Sequence, residues 1–423
     1  VKGRLFMNKA LQVLQDRGFI KQCTDFEGLS ALMDREAVTF YVGVDPTGRS
    51  IHIGHMVPFF AMHHLQEAGH NPIALVGGGT SLIGDPSGKS EMRKMLTVEQ
   101  IQENSASLKQ QLGTVVDFST QDMNGKGHAK MLNNYDWLGS LNYIEFLRDI
   151  GRHFSVNRML TFESYRQRLE RGLSFIEFNY QLLQSFDFLT LYKNHGCKLQ
   201  IGGDDQWGNI VAGIDLIRKV EGGESYGLTF NLITRADGHK MGKSEKGAVF
   251  LDPEMFSPYD FYQYWRNVND ADVIRFMKLF TFLPLEEIEA YDNPAVNVNE
   301  TKERLAFEQT KIIHGEEEAV KARDAAKSLF GGTLAAEARE GMPSITISLD
   351  VMKKGIGAIE LFAMTELCKT NSDARRLITQ GGASIHERKI DDVKQIIDSS
   401  WIESGEMILR AGKKRYFRII VAS

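Results

Sequence analysis

The sequence predicts an α/β protein: a parallel sheet with crossover helices, then an α-helical domain, then a small α+β module. Three observations lead there. Apolar runs at 38–44, 72–76 and 198–201 each stop at a glycine-rich loop, and helical spacing follows the first and third loops. From 253 to 330 the spacing is helical and the aromatics are dense. From 354 onward the charge changes sign, to a net +3 against −8 for the rest of the chain.

At 423 residues, two or three domains are expected. Hydrophobic content of 42% with 25% charged residues excludes a fibre or a disordered chain and fits a soluble enzyme. Charged residues interrupt every apolar run well before a membrane-spanning length, so no membrane partner is expected. The amphipathic start, with Asp16, lacks the apolar core of a secretion signal. Cys23, Cys197 and Cys368 are scattered and form no Cys-x-x-Cys, which points to a reducing cytoplasm and to neither disulfide nor zinc.

In chain order, helices at 5–17 and 26–35 precede the first strand, 38–44, which Asp45-Pro46 ends. The loop that follows reaches His52-Ile53-Gly54-His55 and then a helix at 56–68. Loops between a strand's carboxyl end and a helix's amino end offer N–H groups to phosphate, and Gly54 allows close approach between two imidazole donors. The strand at 72–76 ends in a second glycine run, Gly77 to Lys89. Its one carboxylate, Asp85, suits a cationic group such as an ammonium; a plain Asp-Pro turn reads equally well. A polar helix at 97–113, extended segments at 115–118 and 131–137, and inserted helices at 143–153 and 155–171 follow.

The helix at 174–193 carries an apolar stripe that includes Phe175, Phe178, Leu182, Phe186 and Leu189, so it is expected to be buried. Tyr180, Gln184 and Asp187, at i, i+4 and i+7, share one sector and predict a polar pocket wall. A strand at 198–201 ends in Gly202-Gly203-Asp204-Asp205-Gln206-Trp207-Gly208-Asn209, whose acids suit ribose hydroxyls. After a strand at 228–233, Lys240-Met241-Gly242-Lys243-Ser244 places two mobile cations where a pyrophosphate could be neutralised. In the tail, Lys413, Lys414, Arg415 and Arg418 interleave with Tyr416 and Phe417, a pattern suited to RNA, where cations meet phosphates and aromatics stack on bases. The expected division is 1–250 for the catalytic domain with a helical insertion at about 140–190, 251–335 for the helical domain, 336–355 for a linker, and 356–423 for the RNA-binding module.

Together these motifs resemble those of class I aminoacyl-tRNA synthetases. His52-Ile53-Gly54-His55 and Lys240-Met241-Gly242-Lys243-Ser244 are similar to the two motifs that define the class, in the same order. Tyr41 to Thr47, Gly84 to Lys89, Tyr180-x-x-x-Gln184-x-x-Asp187 and Gly202 to Asn209 resemble the bacterial-type tyrosyl-tRNA synthetase family. Asp204 departs from the serine commoner there.

The resemblance implies a Rossmann-like catalytic domain that activates L-tyrosine with ATP, accompanied by Mg²⁺, and transfers it to tRNA(Tyr), in a homodimer. It implies tyrosine contacts from Tyr41, Asp85, Tyr180, Gln184 and Asp187. It implies ATP contacts from Gly43, Asp45, Gly54, Gly202, Gly203, Asp205, Gln206 and Met241, and catalysis by Thr47, His52, His55, Lys240, Lys243 and Ser244. Lys89 and Arg93 are candidates on the pyrophosphate or tRNA side, and Arg375 and Arg376 join the four tail cations as candidates for tRNA. A tryptophanyl-tRNA synthetase and a non-catalytic RNA-binding paralogue are the competing readings. Asp187 and the carboxy-terminal module argue against the first, the intact histidines and lysines against the second.

Overall fold

The computed structural model describes residues 7–87, 96–119, 125–236, 238, 241–244, 247–328, 342–365, 367–386, 388–412 and 415–422. It divides into two units, 1–256 with 267–305, and 257–266 with 306–423.

The first unit opens with α1 (Lys9–Asp16), β1 (Ile20–Cys23) and α2 (Phe26–Arg35), whose N-cap Asp25 accepts from the Gly28 N–H at 2.9 Å. Strand β2 (Thr39–Val44) is followed by α3 (Val57–Glu67), β3 (Asn71–Val76), α4 (Val98–Leu112) and β4 (Lys130–Asn133). Four short helices come next: α5 (Tyr135–Leu138), α6 (Tyr143–Asp149), α7 (Val156–Met159) and α8 (Glu163–Leu169). The long α9 (Phe175–His195), β5 (Cys197–Gly203), α10 (Trp207–Glu221) and β6 (Tyr226–Phe230) complete the sheet.

The strand order is β1-β6-β5-β2-β3-β4, with β6, β5, β2, β3 and β4 parallel and β1 antiparallel at the edge. The chain order reverses between β2 and β5, and loops leaving two adjacent carboxyl ends there diverge to leave a crevice. The inner strands are buried on both faces, which is why they read as unbroken apolar runs.

Several expectations fail locally. Residues 115–118 form a turn and an irregular segment rather than a strand, and 131–137 divides into β4 and α5. Residues 20–23, too short and mixed to stand out, form the edge strand β1. Phe175, assigned to the buried stripe of α9, is 70% exposed, because it is the first helical residue and projects beyond the packed turns.

The second unit contains a five-stranded sheet ordered Arg388–Ile390, Ala383–Ile385, Glu406–Ala411, Arg415–Ala422, Ser344–Ser348. The last strand is a correction: it lies in the expected linker, 336–355, yet it pairs in parallel with Arg415–Ala422, and Ile347 and Met352 are buried in the module's core. The glycines and Pro343 around it read as linker punctuation, while its partner lies about 70 residues further on, beyond local pattern. Phe417, expected as a base-stacking aromatic, is instead a core residue at 3% exposure, because strand alternation turns it inward and leaves Tyr416 outward against Arg410.

A chain ending at residue 355 should therefore keep Ile345 and Ile347 on a strand with no partner, whereas one ending at 341 should not. Light scattering is expected to show aggregation of the longer truncation and a monodisperse shorter one.

Candidate functional site

The crevice at the carboxyl ends of β2, β3 and β5 is a cavity of about 280 Å³. Its walls include Tyr41, Asp45, Asp85, Tyr180, Asp187 and Asp205, brought together from separate stretches of chain. The sequence prediction of one polar sector on α9 holds, since Tyr180, Gln184 and Asp187 all line this cavity.

At its inner end, β2 presents Tyr41, 1% exposed, whose hydroxyl has no hydrogen-bond partner among the described residues. Burial first, then the Asp187 charge, raises the Tyr41 phenol well above its ordinary pKa. Asp187 accepts from Asn134 Nδ2 at 2.9 Å and from Trp137 Nε1 at 2.7 Å. Burial pushes its carboxyl up to about 7 against the opposing pull of these two donors, and the nearby Asp45 charge adds to the rise.

Asp45 ends β2 and accepts from Thr80 Oγ1 at 2.8 Å and from the Tyr180 hydroxyl at 3.1 Å. The glycine run after β3 makes this possible: a Cβ on Gly77 would sit 2.0 Å from Asp45 Oδ1. Asp85 accepts from the Ser87 N–H at 2.9 Å and Gln206 Nε2 at 2.8 Å. Asn209 Nδ2 links Gln184 Oε1 at 3.0 Å with Gln206 Oε1 at 3.1 Å. The wall beside Asp85 is thus a connected network, in which every named donor has an acceptor.

Of the two adjacent acids after β5, Asp205 lines the cavity. Burial, then the Asp85 charge, raises its carboxyl pKa. Asp204 points elsewhere and accepts from Gln22 at 2.6 Å and Thr229 at 2.9 Å, tying β1 to β6.

Nearer solvent, Thr47, Gly54 and His55 line the cavity, and the His52 ring lies 3.8 Å from the His55 ring, centroid to centroid. His52 is not among the lining residues, and its ring is tilted 33° to that of His55. A Cβ on Gly54 would meet the Met241 carbonyl oxygen at 2.7 Å, and one on Gly242, whose φ is +88°, would meet His52 Nδ1 at 2.7 Å. The histidine loop and the lysine loop are therefore in backbone contact through glycines. Beyond them, Ile53 N–H donates to the Val249 carbonyl at 3.0 Å, Leu251 N–H to that of Ile51 at 3.1 Å, and Arg49 pairs with Asp252 at 2.9 Å. Lys240, Lys89 and Arg93 lie outside the described residues; of Lys243 and Ser244 only the backbone is described, as a strand paired with Gly247–Ala248.

Residues 33–331 match the tRNA synthetases class I (W and Y), and residues 335–419 match the tyrosine--tRNA ligase SYY-like C-terminal domain. The second match decides between the two amino acids of the first. The chain belongs to the bacterial-type tyrosyl-tRNA synthetase family. It is 58% identical to a tyrosine--tRNA ligase of Treponema denticola over 98% of this chain and all of that one, and 50% identical to one of Acetivibrio thermocellus over 98% and 99%. A C-terminally truncated mitochondrial tyrosyl-tRNA synthetase of Aspergillus nidulans superposes with a TM-score of 0.68 at 30% identity, covering 78% of this chain and 96% of that one. The match to the C-terminal domain thus begins ahead of Ser344–Ser348, in agreement with that strand's place in the sheet.

Asn134, Trp137, Thr80 and Asn209 were not singled out from sequence. Asn209 stood within a quoted motif, and Asn134 follows β4 at yet another strand end, which is the signal that could have found it.

The Asp187 carboxyl has a folded-state pKa above that of the unfolded chain, so its ionisation opposes folding. The cost is absent below the usual carboxylate range and complete above about pH 7, at most on the order of 4 kcal/mol. Relative to wild type, Asp187→Asn should gain stability as pH rises from about 4 to about 8, measured by urea unfolding of both proteins.

Proposed function

We propose that the cavity forms tyrosyl-adenylate from L-tyrosine and MgATP and that the same chain then charges tRNA(Tyr). The observation that carries this reading is the buried Tyr41 hydroxyl, without a partner among the described residues and near the Asp187 carboxylate. A substrate phenol between them donates to one and accepts from the other. Phenylalanine would leave the Tyr41 hydroxyl without a partner in a buried site and bring Asp187 no donor beyond Asn134 and Trp137, which disfavours it. Tyrosyl-tRNA synthetases are themselves the well-known case of selection against phenylalanine by a buried polar site without editing.

Asp85 then faces the tyrosine ammonium, with Tyr180 and Gln184 beside it. ATP lies along Gly43, Asp45 and Gly54, its ribose at Gly202, Gly203, Asp205 and Gln206. A tyrosine carboxylate oxygen attacks the α-phosphorus, the bond to the bridging oxygen breaks, and pyrophosphate leaves with that oxygen. No general base is required, because the carboxylate is ionised at neutral pH. Thr47, His52, His55, Lys240, Lys243 and Ser244 stabilise phosphate charge as it builds, and Met241 supplies backbone between the lysines. In the second step a ribose hydroxyl of the tRNA's terminal adenosine attacks the tyrosyl carbonyl and AMP departs.

For tRNA, the exposed Arg375 and Arg376 on helix Asn371–Thr379 and the exposed Arg415 are the candidates best presented. Arg418 is half-buried and paired with Glu406, so it serves the module's fold as much as any ligand. Lys413 and Lys414 lie outside the described residues. A homodimer is supported by apolar side chains left in solvent on the first unit: Tyr143 at 56%, Ile144 at 69% and Phe175 at 70% exposure. No helix among the described residues is long and apolar enough to cross a membrane, and the three cysteines are free.

Tyrosine-dependent ATP–pyrophosphate exchange is the test; exchange with tryptophan alone, or none, overturns the reading. Tyr41→Phe should lower the preference for tyrosine over phenylalanine, whereas His52→Ala should slow exchange by about tenfold or more and leave that preference unchanged. Phe175→Asp should convert a dimer to a monomer in size-exclusion chromatography with light scattering.

A further inference from the structure

A second cavity, of about 140 Å³, lies in the first unit between the short helices and α10, away from the catalytic residues. Its apolar walls are Phe154, Met159, Phe162, Ala212 and Leu216, and His153, Ser155, Arg158, Asp215 and Lys219 complete the lining with Gln181. One buried polar group interrupts them. Gln181, on α9, is fully buried, and its amide N–H donates to the Gly208 carbonyl at 3.2 Å. Its Oε1 has no donor among the described residues. A buried amide oxygen left so is costly, on the order of 1–3 kcal/mol, unless something within the cavity donates to it.

The rim is cationic. Arg158 and Lys219 both line it and both pair with Asp215, at 3.0 and 2.7 Å, and Arg218 pairs with the same carboxylate at 2.5 Å. Asp215 lines the cavity as well, so its lining carries two cations, Arg158 and Lys219, against one carboxylate, a net positive charge that favours an anion. Lys219 is held there by donating also to the His153 carbonyl at 2.6 Å. The volume is close to the roughly 150 Å³ that holds one benzene ring in an apolar protein cavity.

We propose that this cavity binds a single-ring aromatic acid carrying an O–H or N–H donor on its ring. The ring fills the space between Phe154, Phe162 and Leu216, the donor reaches Gln181 Oε1, and the carboxylate meets Arg158 and Lys219. Gln181 sits beside Tyr180 on α9, and its Gly208 acceptor precedes Asn209 of the catalytic wall, so the two cavities share their separating helices.

The test uses 4-hydroxyphenylacetate and phenylacetate as probes, titrated calorimetrically into the full chain with a non-hydrolysable tyrosyl-adenylate analogue saturating the first cavity. The analogue's own binding heat is recorded first, so failure of the proposed tyrosine site is seen separately. Expected is saturable binding of one hydroxylated probe per chain, with phenylacetate weaker by about tenfold or more. Gln181→Met should abolish that preference. Ala212→Met, which fills the cavity from α10, should abolish binding of both probes and leave pyrophosphate exchange unchanged. No saturable binding beside the analogue, a preference that survives Gln181→Met, or binding that survives Ala212→Met would overturn the proposal and leave a cavity occupied by water only.

Discussion

A buried carboxylate organises the inner end of the cavity at the strand ends. Asp187 projects from α9 into the crevice, where it is held by two neutral donors, Asn134 and Trp137, from the stretch after β4. Asn134 also donates to Thr80, and Thr80 in turn donates to Asp45. One chain of hydrogen bonds thus ties the ends of β4, β3 and β2 to the helix that forms the pocket wall. Burial holds the carboxyl pKa up, and the two neutral donors, which pull it down, offset that only in part.

The outer half of the site depends on a different constraint, close approach of backbones. The histidine and lysine loops meet at Gly54 and Gly242, where any side chain would strike a carbonyl oxygen or the His52 ring. The hydrogen bonds from Ile53 and Leu251 and the Arg49 to Asp252 pair extend that seam, so the two motifs sit in a fixed register although nearly 200 residues separate them. Charge stabilisation of a leaving pyrophosphate needs donors placed in advance. A seam of this kind fixes the backbone of both loops where they meet, at Gly54 and Gly242.

Polar side chains that look alike in the sequence serve different ends. Asp204 and Asp205 are neighbours, yet the first joins two strands and the second lines the cavity. Tyr180 and Gln181 are neighbours too, and a helical turn sends them into separate cavities.

Local sequence alone determined much: the strand-end glycine loops, the parallel sheet, the i, i+4, i+7 sector of α9, and both histidine and lysine motifs. These are signals of period or of chain punctuation, and they survive without knowledge of partners. Tertiary structure decided what depends on a distant neighbour. Asn134 and Trp137 joined the site only because β4 ends beside Asp187; Ser344–Ser348 became a strand only because Arg415–Ala422 lies alongside it; Phe175 came to the surface because no described element covers the start of α9. Pairing and burial are properties of what the fold brings near, and a residue's own spacing carries no record of them.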